Sequence, residues 1–128
     1  MLEWQPNWDA RHMHQTQRVG QLIYRNEMSY AQTEMKVIQW GEARQIVQHS
    51  TPYAQALKTL EEVQELLDAI QAKDKEAMID AYGDILVTLV MGCATADLDL
   101  VSCFNHAYEQ IKDRKGYLSP EGIFVKES

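Results

Sequence analysis

The chain is short of basic charge, of cysteine and of long uninterrupted apolar stretches, and each shortage removes a class of function. Twelve Lys and Arg residues stand against nineteen Asp and Glu, a net charge of −7, which argues against a broad electrostatic grip on nucleic acid or anionic lipid. A nucleotide, if one is handled, is expected to be taken singly with a metal attached. The two cysteines, Cys93 and Cys103, fall among apolar helical neighbours and not in a spaced framework, so neither a disulfide scaffold nor a zinc motif is expected. A reducing cytoplasm fits that usage. The opening residues are polar and broken by Pro6, unlike a signal peptide, and no apolar run approaches the roughly 20 residues of a membrane helix. A soluble, cytoplasmic protein that engages neither nucleic acid nor membrane is the expectation. No Glu-x-x-His pair lies on the core helices, which disfavours di-iron chemistry.

What the chain does have is acid in a pattern. Glu61-Glu62-x-x-Glu65 and Asp80-x-x-x-Asp84 fall on consecutive helices joined by one short turn. Carboxylates three and four residues apart share a helix face, so two such faces turned together gather anionic oxygens suited to a hard divalent cation. The first cluster alone would pass for a solvated helix face. The second changes the balance, because after Asp84 no charged residue follows until Asp97, so the stretch reads as buried on nearly all sides in a bundle or subunit interface. A carboxylate at the mouth of such a region is unfavourable unless it is paired or holds a metal, and its nearest neighbours are other carboxylates.

At 128 residues and 45% hydrophobic content, the chain reads as one domain, able to bury a moderate core alone or a better one as an oligomer. Residues 1–30 form an N-terminal arm with a possible short helix, and the domain proper spans 31–128. In the arm, His12 and His14 sit two apart in a coil and are not read as ligands. A first helix is expected over Tyr30–His49, capped by Ser29, with Trp40 beside Gly41 on an open face. The second begins at Pro52 with Thr51 as cap and has Ala56, Leu60, Val63, Leu67 and Ile70 as its core stripe. The third begins after Asp74, and Gly83 within it suggests close approach of a helix or ligand.

The fourth helix, capped by Asp97 or Asp99, turns Leu98, Val101, Phe104, Tyr108 and Ile111 inward. It ends in Lys112, Arg114 and Lys115 before Gly116 as the C′ residue. Those bases complement the helix dipole and are equally suited to phosphate oxygens, Arg114 engaging two at once. Asn105 could hydrogen-bond a base or sugar, with Tyr108 near it on the helix. Ser119-Pro120-Glu121-Gly122 has turn chemistry between short apolar runs, so a hairpin or an extended arm ends the chain, with Lys126 a further candidate for phosphate.

From Val37 to Lys126 these residues resemble the MazG-like branch of the all-α nucleoside triphosphate pyrophosphohydrolases. The likeness runs through Ile38-Gln-Trp40-Gly-Glu-Ala-Arg44-Gln-Ile46, Ala56-Leu-Lys58-Thr-Leu-Glu61-Glu62-Val-Gln-Glu65-Leu66 and Asp80-Ala-Tyr-Gly-Asp84-Ile. It continues through Asn105, Ile111-Lys-Asp-Arg-Lys-Gly116 and Gly122-Ile-Phe-Val-Lys126. The resemblance implies an all-α bundle of four to five helices completed by oligomerisation, as a homodimer or homotetramer. It implies hydrolysis of a nucleoside triphosphate between the α and β phosphates. The family pattern Glu-Glu-x-x-Glu followed by Glu-x-x-Asp holds magnesium, with manganese a possible substitute, and carries over to Glu62, Glu65 and Asp84. The glutamate expected three residues before Asp84 is Ala81, so Asp80 is the candidate fourth ligand. The catalytic set implied is Glu61, Glu62, Glu65 and Asp84, with Glu61 orienting or deprotonating water. Substrate contacts fall to Trp40 stacking on the base, Asn105 and Tyr108, and to Lys58, Lys112, Arg114, Lys115 and Lys126 on phosphates. Phosphoribosyl-ATP and dUTP pyrophosphohydrolases share the superfamily, but the lone domain and its ending favour general nucleotide housecleaning. A non-catalytic helical metal-binding or interaction module is the alternative.

Overall fold

The computed structural model describes residues 28–127, so the expectations for the N-terminal arm and for His12 and His14 lie outside the described residues. Helix α1 (Tyr30–Ala43) is followed by a one-turn helix α2 (Ile46–His49), then by α3 (Pro52–Gln71), α4 (Lys75–Thr95) and α5 (Leu100–Ile111). Two strands, β1 (Gly116–Leu118) and β2 (Phe124–Lys126), complete the described chain. The fold is all-α with a small hairpin, as expected. Two compact units are distinguished, one of Tyr30–Phe104 and a second that includes residues 105–127.

The expected single helix over Tyr30–His49 is in fact broken. Gln45 lies in the left-handed region at φ 66°, and its N–H donates to the Glu42 carbonyl at 3.1 Å. A side-chain-bearing residue there costs about 1–2 kcal/mol. Apolar periodicity runs through the break unchanged, so the pattern does not reveal it.

The other boundaries follow from capping. The Thr51 hydroxyl accepts the Ala54 N–H at 3.0 Å, with Pro52 opening α3, and the Asp74 carboxylate accepts the Ala77 N–H at 3.1 Å to open α4. At the end of α3, Lys73 takes φ 55° while Lys73 and Asp74 donate back to the Ile70 and Ala69 carbonyls, both at 3.0 Å. The end of α4 repeats the device on Asp97 at φ 57°, with Asp97 donating to Ala94 and Leu98 to Cys93. These paired bonds satisfy carbonyls that a helix end leaves open. Asp97 is thus spent on closing α4, and Asp99 caps α5 by accepting the Ser102 N–H at 2.9 Å.

Helices α3 and α4 pack antiparallel as the central pair. Gln55 lies against Gly92, Thr59 against Thr88 and the acids of mid-α3 against Asp84, partners that fall in number on one helix as they rise on the other. The face α3 turns inward therefore carries Thr59, Glu62, Leu66 and Ala69. The stripe read as core does not: Leu60 is 66% exposed and Leu67 50%, because one neighbouring helix covers only one stripe, and that stripe is the one through Thr59, Glu62, Leu66 and Ala69. Nor is the stretch after Asp84 buried all round, since Leu86 and Leu89 are exposed. On α5, Phe104, Tyr108 and Ile111 are likewise exposed, as is Leu98 before it, contrary to the inward reading.

Among the described residues the one large, fully buried side chain is Met91. It seats over Gly41, where a Cβ would overlap the Met91 thioether. Close approach is thus built at Gly41, between α1 and α4, whereas Gly83 has open space around it. Although no unbroken apolar run has the length, α4 as a whole is long and apolar enough to cross a membrane by length and composition.

In the hairpin, Gly116 pairs with Lys126, Tyr117 with Val125 and Leu118 with Phe124. The turn closes as its Ser-Pro-Glu-Gly chemistry predicts, Gly122 donating to the Ser119 carbonyl at 2.9 Å with φ 85°. Gly116 is a strand residue and not a helix C′ residue, for α5 ends at Ile111. A Cβ at Gly116 would strike the Phe124 ring and the Val125 carbonyl.

Candidate metal centre

Glu62 and Glu65 stand one turn apart on α3, and the packing of α4 brings Asp84 to them. One oxygen from each of the three lies within 4.8 Å of the others. Glu65 and Asp84 are exposed, while Glu62 is only 7% exposed. Its Oε2 is buried without any hydrogen-bond partner, and its Oε1 lies 3.7 Å from the Lys58 ammonium. An orphaned carboxylate oxygen inside a cluster of like charges is unfavourable by both desolvation and repulsion. A hard divalent cation relieves both at once, and all-oxygen carboxylate donors are the set such ions prefer. The residues present therefore fit a hard divalent cation.

The remaining acids are placed differently. Asp80 is exposed and stands outside the group of three, whereas Ala81, 4% exposed, is turned into the packed face. Glu61 is exposed and paired to Lys58 at 2.9 Å. The hydrogen bond to Glu61, then the charges of Glu61, Glu62 and Glu65, raise the Lys58 pKa above its ordinary value, so Lys58 is held cationic at the rim of the cluster.

Trp40 is 42% exposed, and the Arg44 guanidinium lies 4.8 Å from its ring centroid. One face of the indole is thus already covered by a cation. Arg44, met in the sequence only within the Ile38–Ile46 motif, could have been found by its spacing of four from Trp40.

Asn105, Tyr108, Lys112, Arg114, Lys115 and Lys126 belong to the second unit, and all are exposed. Lys112 already pairs with Glu109 at 2.6 Å, a contact that competes with any phosphate.

The model of the MazG nucleotide pyrophosphohydrolase domain matches residues 50–118, more than half of the chain and the part that holds all three converging carboxylates. The chain belongs to this family. No curated protein and no solved structure matches it. Membership in the MazG family carries nucleotide pyrophosphohydrolase activity in general terms, and the metal dependence typical of MazG domains agrees with the carboxylate cluster. The helical fold is likewise that of the family.

Proposed function

We propose that this MazG-family chain hydrolyses (deoxy)nucleoside triphosphates between the α and β phosphates, with magnesium as its ion and manganese as a substitute, in a nucleotide-housecleaning role. The observation that carries the proposal is the buried, unpartnered Oε2 of Glu62 in a group with Glu65 and Asp84. Those three residues would hold the ion, with Asp80 as an outer carboxylate. When bound, a divalent ion neutralises triphosphate charge and makes water a stronger nucleophile at neutral pH.

The chain's own residues supply the rest. Glu61, steadied by Lys58, accepts the proton of the water that attacks the α phosphorus. The bond from that phosphorus to the bridging oxygen breaks, and pyrophosphate leaves with the electron pair while the nucleoside monophosphate is released. Lys58 offsets negative charge gathering on the phosphates. To Lys112, Arg114, Lys115 and Lys126 we assign phosphate contacts on the strength of their charge, and to Asn105 and Tyr108 contacts to base or ribose. The open face of Trp40 is assigned to stacking on the base. The uncovered leucines of α3 support assembly as a homodimer or homotetramer. A cytoplasmic protein that works on free nucleotides, apart from nucleic acid and membrane, agrees with the net charge of −7.

Chromatographic product analysis over a panel of ribo- and deoxynucleoside triphosphates, with and without magnesium, tests the reading. Monophosphate and pyrophosphate in equal amounts, lost in Glu65→Ala and Asp84→Ala, are expected. A folded protein that binds magnesium or manganese and turns over nothing on the panel would leave a non-catalytic metal-binding module in its place.

A further inference from the structure

The cation site draws its ligands from two helices, so whatever fixes α3 against α4 also fixes the site. Ala69 on α3 and Ala81 on α4 are small buried residues, and the Gln55–Gly92 contact has no directional bond, so these fix a register less sharply than a hydrogen bond does. The three carboxylates oppose closure by mutual repulsion.

One directional contact bridges the two helices next to the site. The hydroxyls of Thr59 and Thr88 lie 2.7 Å apart, with Thr88 only 7% exposed. Thr59 is three residues before Glu62 and Thr88 four after Asp84, so each hydroxyl sits one turn from a ligand on the same helix face. Each also lies within bonding distance of a carbonyl of its own helix, Thr59 of Gln55 at 2.9 Å and Thr88 of Ile85 at 2.7 Å. Two hydroxyl protons are available to these three contacts. At 2.7 Å two hydroxyl oxygens repel unless one donates to the other, so one hydroxyl donates across the interface, the acceptor donates to its own helix, and the third contact is left without a proton. Either direction gives an unbroken chain from one helix to the backbone of the other.

We propose that Thr59 and Thr88 are positioning residues, a hydroxyl clamp that sets the register of α3 on α4 and thereby the spacing of Glu62 and Glu65 from Asp84. This rests on the reading of those three carboxylates as a cation site. A sliding step of one residue moves a helix by about 1.5 Å, a large error for an ion that takes its oxygens at about 2.0–2.1 Å. A hydrogen bond, which weakens steeply with distance and angle, penalises such a step more sharply than small apolar contacts do.

The test uses Thr88→Val, Thr59→Val, the double variant and Thr88→Ser, each titrated with manganese by electron paramagnetic resonance and melted in the metal-free state. The clamp touches no ligand itself, so its loss should weaken manganese binding by about tenfold, the low end of what loss of a group bonded to a ligand costs. Both valine variants should show that loss, the double variant should be no worse than either, and Thr88→Ser should bind as the wild type does. If Thr88→Val does not fold, Thr59→Val, at the less buried end, gives the same answer. Unchanged manganese affinity with a lowered melting temperature would overturn the clamp, leaving a stabilising contact only and the cation site intact. A wild type that binds no manganese would overturn the clamp together with the cation site.

Discussion

At the scale of single residues the account turns on Glu62, which is buried, charged and left with an oxygen that nothing in the described chain satisfies. Such a group is retained for a ligand and not for stability. Glu62→Gln should therefore act in opposite directions on the two. Hydrolysis should fall by more than about a hundredfold, beyond the usual effect of losing a residue behind a ligand. The melting temperature in chelator should rise, because a repelling charge becomes a neutral donor beside Glu65 and Asp84. Turnover assays and thermal unfolding of the same preparation check both. Cys93 makes a second prediction at this scale. Burial first, then the neighbouring Cys103, push its thiol up to about 11, so only about one molecule in a thousand is thiolate at pH 8. Peptide mapping after brief iodoacetamide treatment at that pH should find Cys93 unmodified, and its alkylation should speed up as pH rises toward 11.

Local spacing and a charge at the edge of an apolar run pointed to Glu61, Glu62, Glu65, Asp80 and Asp84 together, and it was the resemblance to the MazG family that singled out Glu62, Glu65 and Asp84, the three carboxylates that converge. Asp80 was not settled by the same reasoning. Residues three and four before Asp84 flank its helix face on either side, and only the packing of α4 decides that Ala81 turns inward and Asp80 outward.

Among elements, capping made the starts of α3 and α4 readable, since Thr51, Pro52 and Asp74 act through contacts within one turn. Glycine roles were less readable. A helical glycine signals that something is near, or only that nothing needs a side chain, and sequence does not distinguish these. Gly41 and Gly83 are the two cases, and they predict opposite outcomes. Gly41→Ala drives a methyl into the Met91 thioether and should destabilise by about 1–3 kcal/mol. Gly83→Ala meets nothing within 4 Å and should stabilise by about 0.5–1 kcal/mol through helix propensity. Urea denaturation of the pair measures the contrast.

For the molecule as a whole, the decisive fact is how little the described chain buries. Only Ala69, Ala81, Val90 and Met91 form its buried apolar core, while Leu57, Leu60, Leu67 and Ile70 of α3 are left exposed. Covering one such side chain is worth about 1.5–3 kcal/mol, so a second copy laid over this stripe, as proposed, would contribute on the scale of a domain's whole stability. Leu60→Asp with Leu67→Asp should shift the protein to a monomer in light scattering and lower its melting temperature. An unchanged oligomer would place the interface elsewhere. This was the least legible level, for periodicity reports that a helix has an apolar stripe and is silent on what covers it.

The central claim is that Glu62, Glu65 and Asp84 hold the divalent ion on which hydrolysis depends. Calorimetric titration of magnesium into the wild type and into Asp84→Asn, each confirmed as folded, tests it most directly. The account predicts saturable binding by the wild type and affinity weakened at least about tenfold in Asp84→Asn. Equal magnesium affinity in the two proteins would contradict it.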